Sequence, residues 1–361
     1  MLIKLTKNKD RERHFLNIEE ILFPQPGKII YSFLLCFFIA LPIFSQSIDE
    51  QRLLFPGVYY TNTLAAERLK EDTALYSAMT QEEAQASAPI TADQRSLLLN
   101  NDILAYYGHP NSKNMGILGR YSMEELDKQL VKLAAEYKAA GGRNVVTAFY
   151  IIYGTVWPEG EIGVINEETL LKYINYAQER NMLVFIDHQI GKYDPATAIK
   201  KMLPYLKYPN VHLALDPEWR TLKPMKEIGQ VSATEINQVQ ELMEDYMKKN
   251  SIQGERMLVI HQFKPWMITE RGRIKGNFSK VRVIHCADGF GNPNQKRSSY
   301  KANAFDDYNN ETPKKPTLNL PLKSFKLFYN FNIPGAGFDN PLFSPKEVYA
   351  LEPRPYLIMY Q

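Results

Sequence analysis

The chain has 361 residues, with 43 Lys and Arg against 40 Asp and Glu, 45% hydrophobic and 12% aromatic residues, and two cysteines. This length suits one large α/β barrel or two ordinary domains, and the mixed composition excludes collagen-like, coiled-coil and wholly disordered chains. Two cysteines exclude a disulfide scaffold or a Cys-rich zinc module, and a net charge of +3 gives no reason to expect nucleic acid.

The first predicted element is an export segment. Residues 29–44 (IIYSFLLCFFIALPIF) carry no charge and follow Lys28 and a polar, basic stretch. At ~1.5 Å per residue this run is short for a ~30 Å bilayer core and fits a signal h-region better, with a small-residue cleavage position after Ser45. The long leader before it makes an uncleaved signal anchor the alternative, which would attach the protein to a membrane through residues 1–45 only. Either way the protein is expected to be exported, to a periplasm, a cell surface or the medium. Most of the net charge lies in this leader, so the body is close to neutral, and Cys286 is its only thiol.

Residues 46–100 are Ala-, Glu- and Thr-rich and predict a tether with short helices. From about residue 101 the pattern changes to short apolar runs alternating with amphipathic segments. The predicted strands are 103–107, 144–153, 182–187, 211–216, 256–263, 281–286, 325–331 and 356–361. Helices are predicted at 122–139, 167–180, 195–207, 232–250, 264–273, 294–308 and 344–350. Capping boxes at Ser122–Glu125 and Ser232–Glu235, and Pro345 after Ser344, mark three starts. Eight strands with seven intervening helices over residues 101–361 predict a (β/α)₈ barrel of the TIM type. A doubly wound open sheet is the alternative, weakened by the lack of a glycine-rich phosphate loop after the first strand.

A barrel carries its chemistry at the C-terminal ends of its strands, and polar residues collect there. Those ends hold Tyr107 and His109, Tyr153, Asp187 and Gln189, Asp216 through Trp219, His261 and Gln262, and His285 through Asp288. The seventh strand is expected to end at Tyr329-Asn330. Strand parity puts Asp216 and Glu218 on the face of Ala214. Two close carboxylates separate each other's proton affinities, so one stays ionised while the other holds a proton, as acid catalysis at a glycosidic oxygen requires. Trp219 offers a flat face to a sugar ring. The structural alternative is that Glu218 pairs with Arg220 or a neighbouring Lys and Trp219 is core.

Asp187 ends a wholly apolar run and is read as a base, a holder of a substrate hydroxyl, or a loop cap. His109, His261 and His285 are strand-end histidines without metal-ligand spacing, so neither metal nor cofactor is expected. A metal site from His261, His285 and Asp216 remains the geometric alternative. Asp288-Gly289-Phe290-Gly291 is a loop able to wrap a ligand or simply turn. Lys296-Arg297 and Lys314-Lys315 read as solvated loops, and Cys286 as a packed small hydrophobe.

The motifs YYGHP (106–110), GILG (116–119), FIDHQIG (185–191), LALDPEW (213–219), IGQVSATEINQV (228–239), VIHQF (259–263) with Arg271, and HCADGFG (285–291) carry a resemblance. In this order they resemble a family of uncharacterised exported bacterial proteins, many of them actinobacterial and described as lipoproteins. The resemblance spans about residues 103–361 and implies an exported barrel, with a site location but no reaction. The chain departs from a lipobox at Leu35, just before Cys36. A weaker likeness is to chitinase-type glycosidases, whose fourth strand ends in Asp-x-Glu with the Glu as proton donor. Asp216-Pro217-Glu218 matches that ending, while His212 and Ala214 replace the upstream aspartates. The Glu that ends strand 7 in retaining barrel glycosidases is missing from Tyr329-Asn330-Phe331-Asn332.

The expectation is thus a glycosidase-like hydrolase of an envelope or extracellular polysaccharide. Glu218 is the acid, and Asp216 or Asp187 the base or charge stabiliser. Tyr107, His109, Tyr153, Gln189, Trp219, His261, Gln262, His285 and Asp288 are the substrate-binding candidates. The partner is a carbohydrate, not nucleic acid. Two alternatives are a phosphodiesterase-type or metal-assisted hydrolase using His109, His261 and His285, and a non-catalytic glycan-binding protein.

Overall fold

The computed structural model describes residues 101–276, 278–304 and 322–361. The expected signal segment (1–45), the tether (46–100), Cys36, and the Lys314-Lys315 pair lie outside the described residues. Eleven strands are present among those described: β1 Ile103–Gly108, β2 Val146–Val156, β3 Ile162–Val164, β4 Leu183–Gln189, β5 Val211–Asp216, β6 Val231–Ser232, β7 Arg256–Gln262, β8 Ile268–Thr269, β9 Val281–Ala287, β10 Leu322–Leu327 and β11 Leu357–Tyr360. Eight of them pair in parallel in the order β1-β11-β10-β9-β7-β5-β4-β2, and β2 pairs back to β1. The sheet therefore closes into a (β/α)₈ barrel without an edge. The open-sheet alternative fails on the β1–β2 pairing.

The helices that cover it are α1 Met123–Ala139, α2 Glu167–Glu179, α3 Pro195–Met202, α4 Ala233–Lys249, α5 Pro293–Ala304 and α6 Pro345–Tyr349. Local chemistry sets their starts. Ser122, Ser232 and Ser344 each cap the amide three residues on, and Glu125, Glu235 and Glu347 return the bond to the cap's own N–H. Asn166 and Asp194 cap α2 and α3 from their side chains. The stretch predicted as one helix over 195–207 finishes as a 3-10 turn, Leu203–Lys207, because Pro204 cannot supply the next α-helical N–H.

The core has two layers, divided by strand parity. Ile103, Ala105, Ala148, Leu183, Ala214, Val259, Ile284, Leu357 and Met359 fill the barrel interior, with the rings of Tyr107, Tyr150 and Phe185. Leu104, Phe149, Val184, Leu213, Ile260 and Ile358 face outward onto Leu126, Leu130, Ile174, Val239 and Met243 of the helices. The alternation of small and large inward residues fills the taper of an eight-stranded barrel.

Four further features depart from the sequence reading. The helix predicted at 264–273 is instead two 3-10 turns, Pro265–Met267 and Arg271–Arg273, on either side of β8. Strand β10 covers 322–327 rather than 325–331, so Lys326, not Tyr329-Asn330, stands at its inner end. A hairpin, β2–β3, projects above the barrel, and β6 pairs with β8 in a small separate sheet. Lys296 is on α5 and buried, not in a solvated loop: its ammonium pairs with Asp339 Oδ2 at 3.2 Å and donates to Gly289 O at 2.6 Å. Among the described residues no helix is long and apolar enough to cross a membrane.

Candidate active site

A cleft of about 940 Å³ opens at the C-terminal end of the barrel. Of the sequence-nominated residues, Tyr107, Gln189, Asp216, Glu218, Trp219 and Asp288 line it. Asp187 and His261 lie directly beneath, fully buried.

Strand β5 delivers the two central carboxylates. Asp216 ends the strand facing inward, and Pro217 starts a 3-10 turn, Pro217–Trp219, that Asp216 caps by accepting the Glu218 N–H at 3.2 Å. The turn lifts Glu218 to the cleft wall. Arg220 does not neutralise it: that guanidinium is held by Glu235 of α4 and by Gln230 O at 3.0 Å. The Glu218 carboxylate accepts no hydrogen bond among the described residues, and the structural alternative for it falls.

Below the cleft, His261 is held between two aspartates. Its Nδ1 is 3.0 Å from Asp288 Oδ2 and its Nε2 3.4 Å from Asp187 Oδ2. Tyr150 Oη lies 2.8 Å from the same Nε2, and Tyr107 Oη donates to Asp187 Oδ2 at 3.1 Å. Asp187 Oδ1 and Asp288 Oδ1 are buried with no hydrogen bond. Lys326, at the end of β10, places its ammonium 3.8 Å from the Tyr107 ring centroid and 3.9 Å from Asp288 Oδ2.

These surroundings separate the acids. Burial, reinforced by the charges of Asp216 and Asp288, pushes Glu218 up to about 8. Burial also raises Asp216, to about 7, with Asp187 and Asp288 adding to it and His261 and Lys326 opposing. Asp187 is raised by burial as well. For Asp288 burial acts upward, but the His261 bond and the Lys326 charge outweigh it and hold the carboxylate below its ordinary value. Burial alone would depress His261, yet Asp187 and Asp288 lift it well above the usual histidine range. At neutral pH the site therefore holds an ionised Asp288–His261 pair beneath a protonated Glu218.

Four nominated residues stand elsewhere. Gln262 and His285 have the opposite parity and face out of the barrel, where His285 Nε2 meets Gln262 Oε1. Gln262 also accepts from Arg271 Nη1 at 3.1 Å and donates to Lys264 O and Pro265 O at 3.0 and 2.7 Å. This cluster pins the loop after β7, and neither residue lines the cleft. Tyr153 is the extra residue of a bulge in β2 and packs outward on Tyr205 and His188. His109 caps its own turn, its Nδ1 accepting the Asn111 N–H at 3.1 Å. With His285 on the far side of the sheet from His261, the three-histidine site does not assemble. Among the described residues no three His, Cys, Asp or Glu side chains are arranged to hold a metal ion.

Sequence reasoning missed Lys326 and the rim aromatics. Lys326 sits in a run that reads as an apolar strand, and only its parity with Ser324 marks it as inward. Trp157, in the β2–β3 turn, and Phe290 are 57% and 58% exposed and both line the cleft. A large exposed ring in a turn was the available signal for Trp157.

Fold and site together define a (β/α)₈-barrel protein with an acidic, aromatic-walled cleft at its C-terminal face. No protein-family model and no curated protein matches the chain. Among solved structures it is similar to the xylanase and alpha-amylase inhibitor protein of Scadoxus multiflorus (TM-score 0.40, 12% identity, covering 72% of this chain and 92% of that one). It is also similar to a GH18 chitinase from the chitin utilization locus of Flavobacterium johnsoniae (TM-score 0.38, 11% identity, 72% and 87% covered). A GH18 chitinase catalytic domain from the fern Peteris ryukyuensis gives a TM-score of 0.38 at 10% identity, with 72% and 90% covered. The closed sheet itself defines the barrel, and these likenesses say nothing of the chemistry.

Proposed function

We propose that this barrel is an exported glycoside hydrolase acting on an envelope or extracellular polysaccharide. The observation that carries the reading is Glu218: a carboxyl pushed up to about 8 against the opposing charges of Lys326 and His261, with no hydrogen bond or ion pair among the described residues, on the wall of an aromatic-lined cleft. Such a group holds its proton at neutral pH and can give it to a glycosidic oxygen. Asp216, one turn below and more acidic than Glu218, supplies the negative charge that an oxocarbenium-like transition state needs. The Asp288–His261–Asp187 layer fixes the polarity of the floor, and Tyr107 and Gln189 shape its edge. Gln189 is itself anchored by the Val156 N–H at 2.8 Å.

Export is supported by the uncharged run at 29–44 in the sequence. The test of the reaction is release of reducing ends from a panel of bacterial envelope and extracellular polysaccharides by wild type and Glu218→Gln. Hydrolysis by wild type that collapses in the variant supports the reading. Equal hydrolysis by both removes Glu218 as the acid. Glycan binding without hydrolysis by either would make the barrel a binding protein.

A further inference from the structure

The cleft is walled on two opposite sides by exposed aromatic rings, and this bears on how much substrate it holds. Trp157 rises from the loop after β2, and Phe290 from the loop after β9. In the closed order of the sheet, β2 and β9 are four strands apart in either direction round an eight-stranded barrel, so their loops face each other across the mouth. Glu218 and Asp216, at the end of β5, stand on one arc between them, and Lys326, on β10, stands on the other. Both rings are more than half exposed and both line the same cleft, where exposed apolar surface marks a ligand groove.

Each ring is also seated rather than loose. A Cβ at position 163, on the returning strand of the β2–β3 hairpin, would collide with the Trp157 indole. A Cβ at 337 would collide with the Phe290 ring, which also meets Phe328 edge-on with centroids 5.9 Å apart. Glycine at both places lets each ring pack directly against backbone, the Trp157 indole by its Nε1 edge and the Phe290 ring by its face. The cleft volume of about 940 Å³ lies at the upper end of the ~300–1,000 Å³ of small-molecule pockets. One sugar ring leaves most of it unfilled.

We infer that Trp157 and Phe290 are two aromatic subsites on opposite sides of the acids, so that the occupant is a linear polysaccharide crossing the barrel mouth and cut within its chain. This rests on the glycan reading above. The flat C–H face of a pyranose stacks on an aromatic ring, so consecutive units on either side of Glu218 would each find a platform. Such a cleft favours long chains over disaccharides and cuts them internally.

Calorimetric titration of the Glu218→Gln protein with β-1,4-linked glucose and N-acetylglucosamine oligomers of two to six units tests the inference. Affinity is expected to rise at least tenfold from dimer to hexamer for the series that binds. Trp157→Ala and Phe290→Ala should each weaken the hexamer about tenfold, with Trp157→Phe restoring most of the loss, and the double variant should bind hexamer no better than dimer. Affinity independent of length, or a hexamer affinity untouched by either substitution, overturns the two-platform arrangement and leaves the hydrolase reading standing. Wild-type hydrolysis that survives Glu218→Gln overturns the assigned acid and leaves the platforms standing. Failure of every oligomer to bind overturns both.

Discussion

Two polar clusters sit at the same strand ends and have opposite fates. Inside the barrel, Asp187, Asp216, His261, Asp288 and Lys326 gather under the cleft. Outside it, Gln262, His285 and Arg271 gather under the helices. His261 and Gln262 are adjacent in sequence, as are Ala287 and Asp288 beyond His285, yet only one parity reaches the cleft. Burial displaces proton affinities in both clusters, His285 downward in the outer one, but only the inner cluster sets its raised acids and orphan carboxylate oxygens at a cleft, which is what a reactive site requires. In the outer cluster each amide and guanidinium is bonded to backbone or to a neighbour, which holds a loop in place. Clustering of polar residues therefore locates a barrel's busy end, and strand parity separates chemistry from scaffolding.

The two clusters should part sharply under mutation. Glu218→Gln is expected to reduce the hydrolysis rate by ~10²–10⁴-fold with an unchanged circular dichroism spectrum, the usual cost of removing a general acid. Arg271→Met should do the reverse. It leaves Gln262 and the Asn303 carbonyl buried without their donor, so a loss of about 1–3 kcal/mol in denaturant unfolding is expected. The folded fraction should keep its specific activity.

The pH dependence sharpens the inner half of the comparison. The competent form holds Glu218 protonated and Asp216 ionised, so kcat/KM should peak between about 7 and about 8, falling at lower pH as Asp216 takes up its proton and at higher pH as Glu218 loses its own. Asp216→Asn removes a charge that raises Glu218, so the alkaline limb should move to lower pH. Stability follows the same group. The folded carboxyl binds its proton more tightly than the unfolded one, whose ordinary value is 4.5, so this group's contribution declines as pH rises from about 4.5 towards 8. Glu218→Gln should consequently melt higher than wild type, by a margin that widens over that window. The smallest effect is expected at Tyr153, whose ring lies outside the barrel. Tyr153→Phe should change unfolding free energy by less than about 0.5 kcal/mol and leave the rate alone.

Much of this architecture was legible in the residues. Eight apolar runs with capped helices between them gave the barrel, because covered parallel strands must be apolar on both faces and Ser-x-x-Glu marks a helix start in any context. Asp216 and Glu218 were also legible, since a carboxylate pair at a strand end has few structural uses. His285 and Gln262 end their strands on the outward face, next to the inward Cys286 and His261, so nearness to a strand end does not bring them to the cleft. In β2 a bulge shifts the register at Tyr153 and turns its ring outward. His109 was misplaced because its turn uses the imidazole as a local cap. Lys326 was hidden because a lysine between Phe325 and Leu327 reads as a solvated edge until the closed sheet shows that it points inward, toward Asp288. The burial of Lys296 depends on Asp339, 43 positions along the chain, which no local pattern announces.

The most direct test of the account is the titration of Glu218 itself, which needs no substrate. Carbon-13 carboxyl shifts followed from pH 4 to 10 in wild type and Glu218→Gln isolate that group. The account predicts one glutamate carboxyl titrating near 8 in wild type and missing from the variant. A Glu218 carboxyl that titrates near its ordinary 4.5 would contradict it, because the cleft would then hold no proton to give at neutral pH.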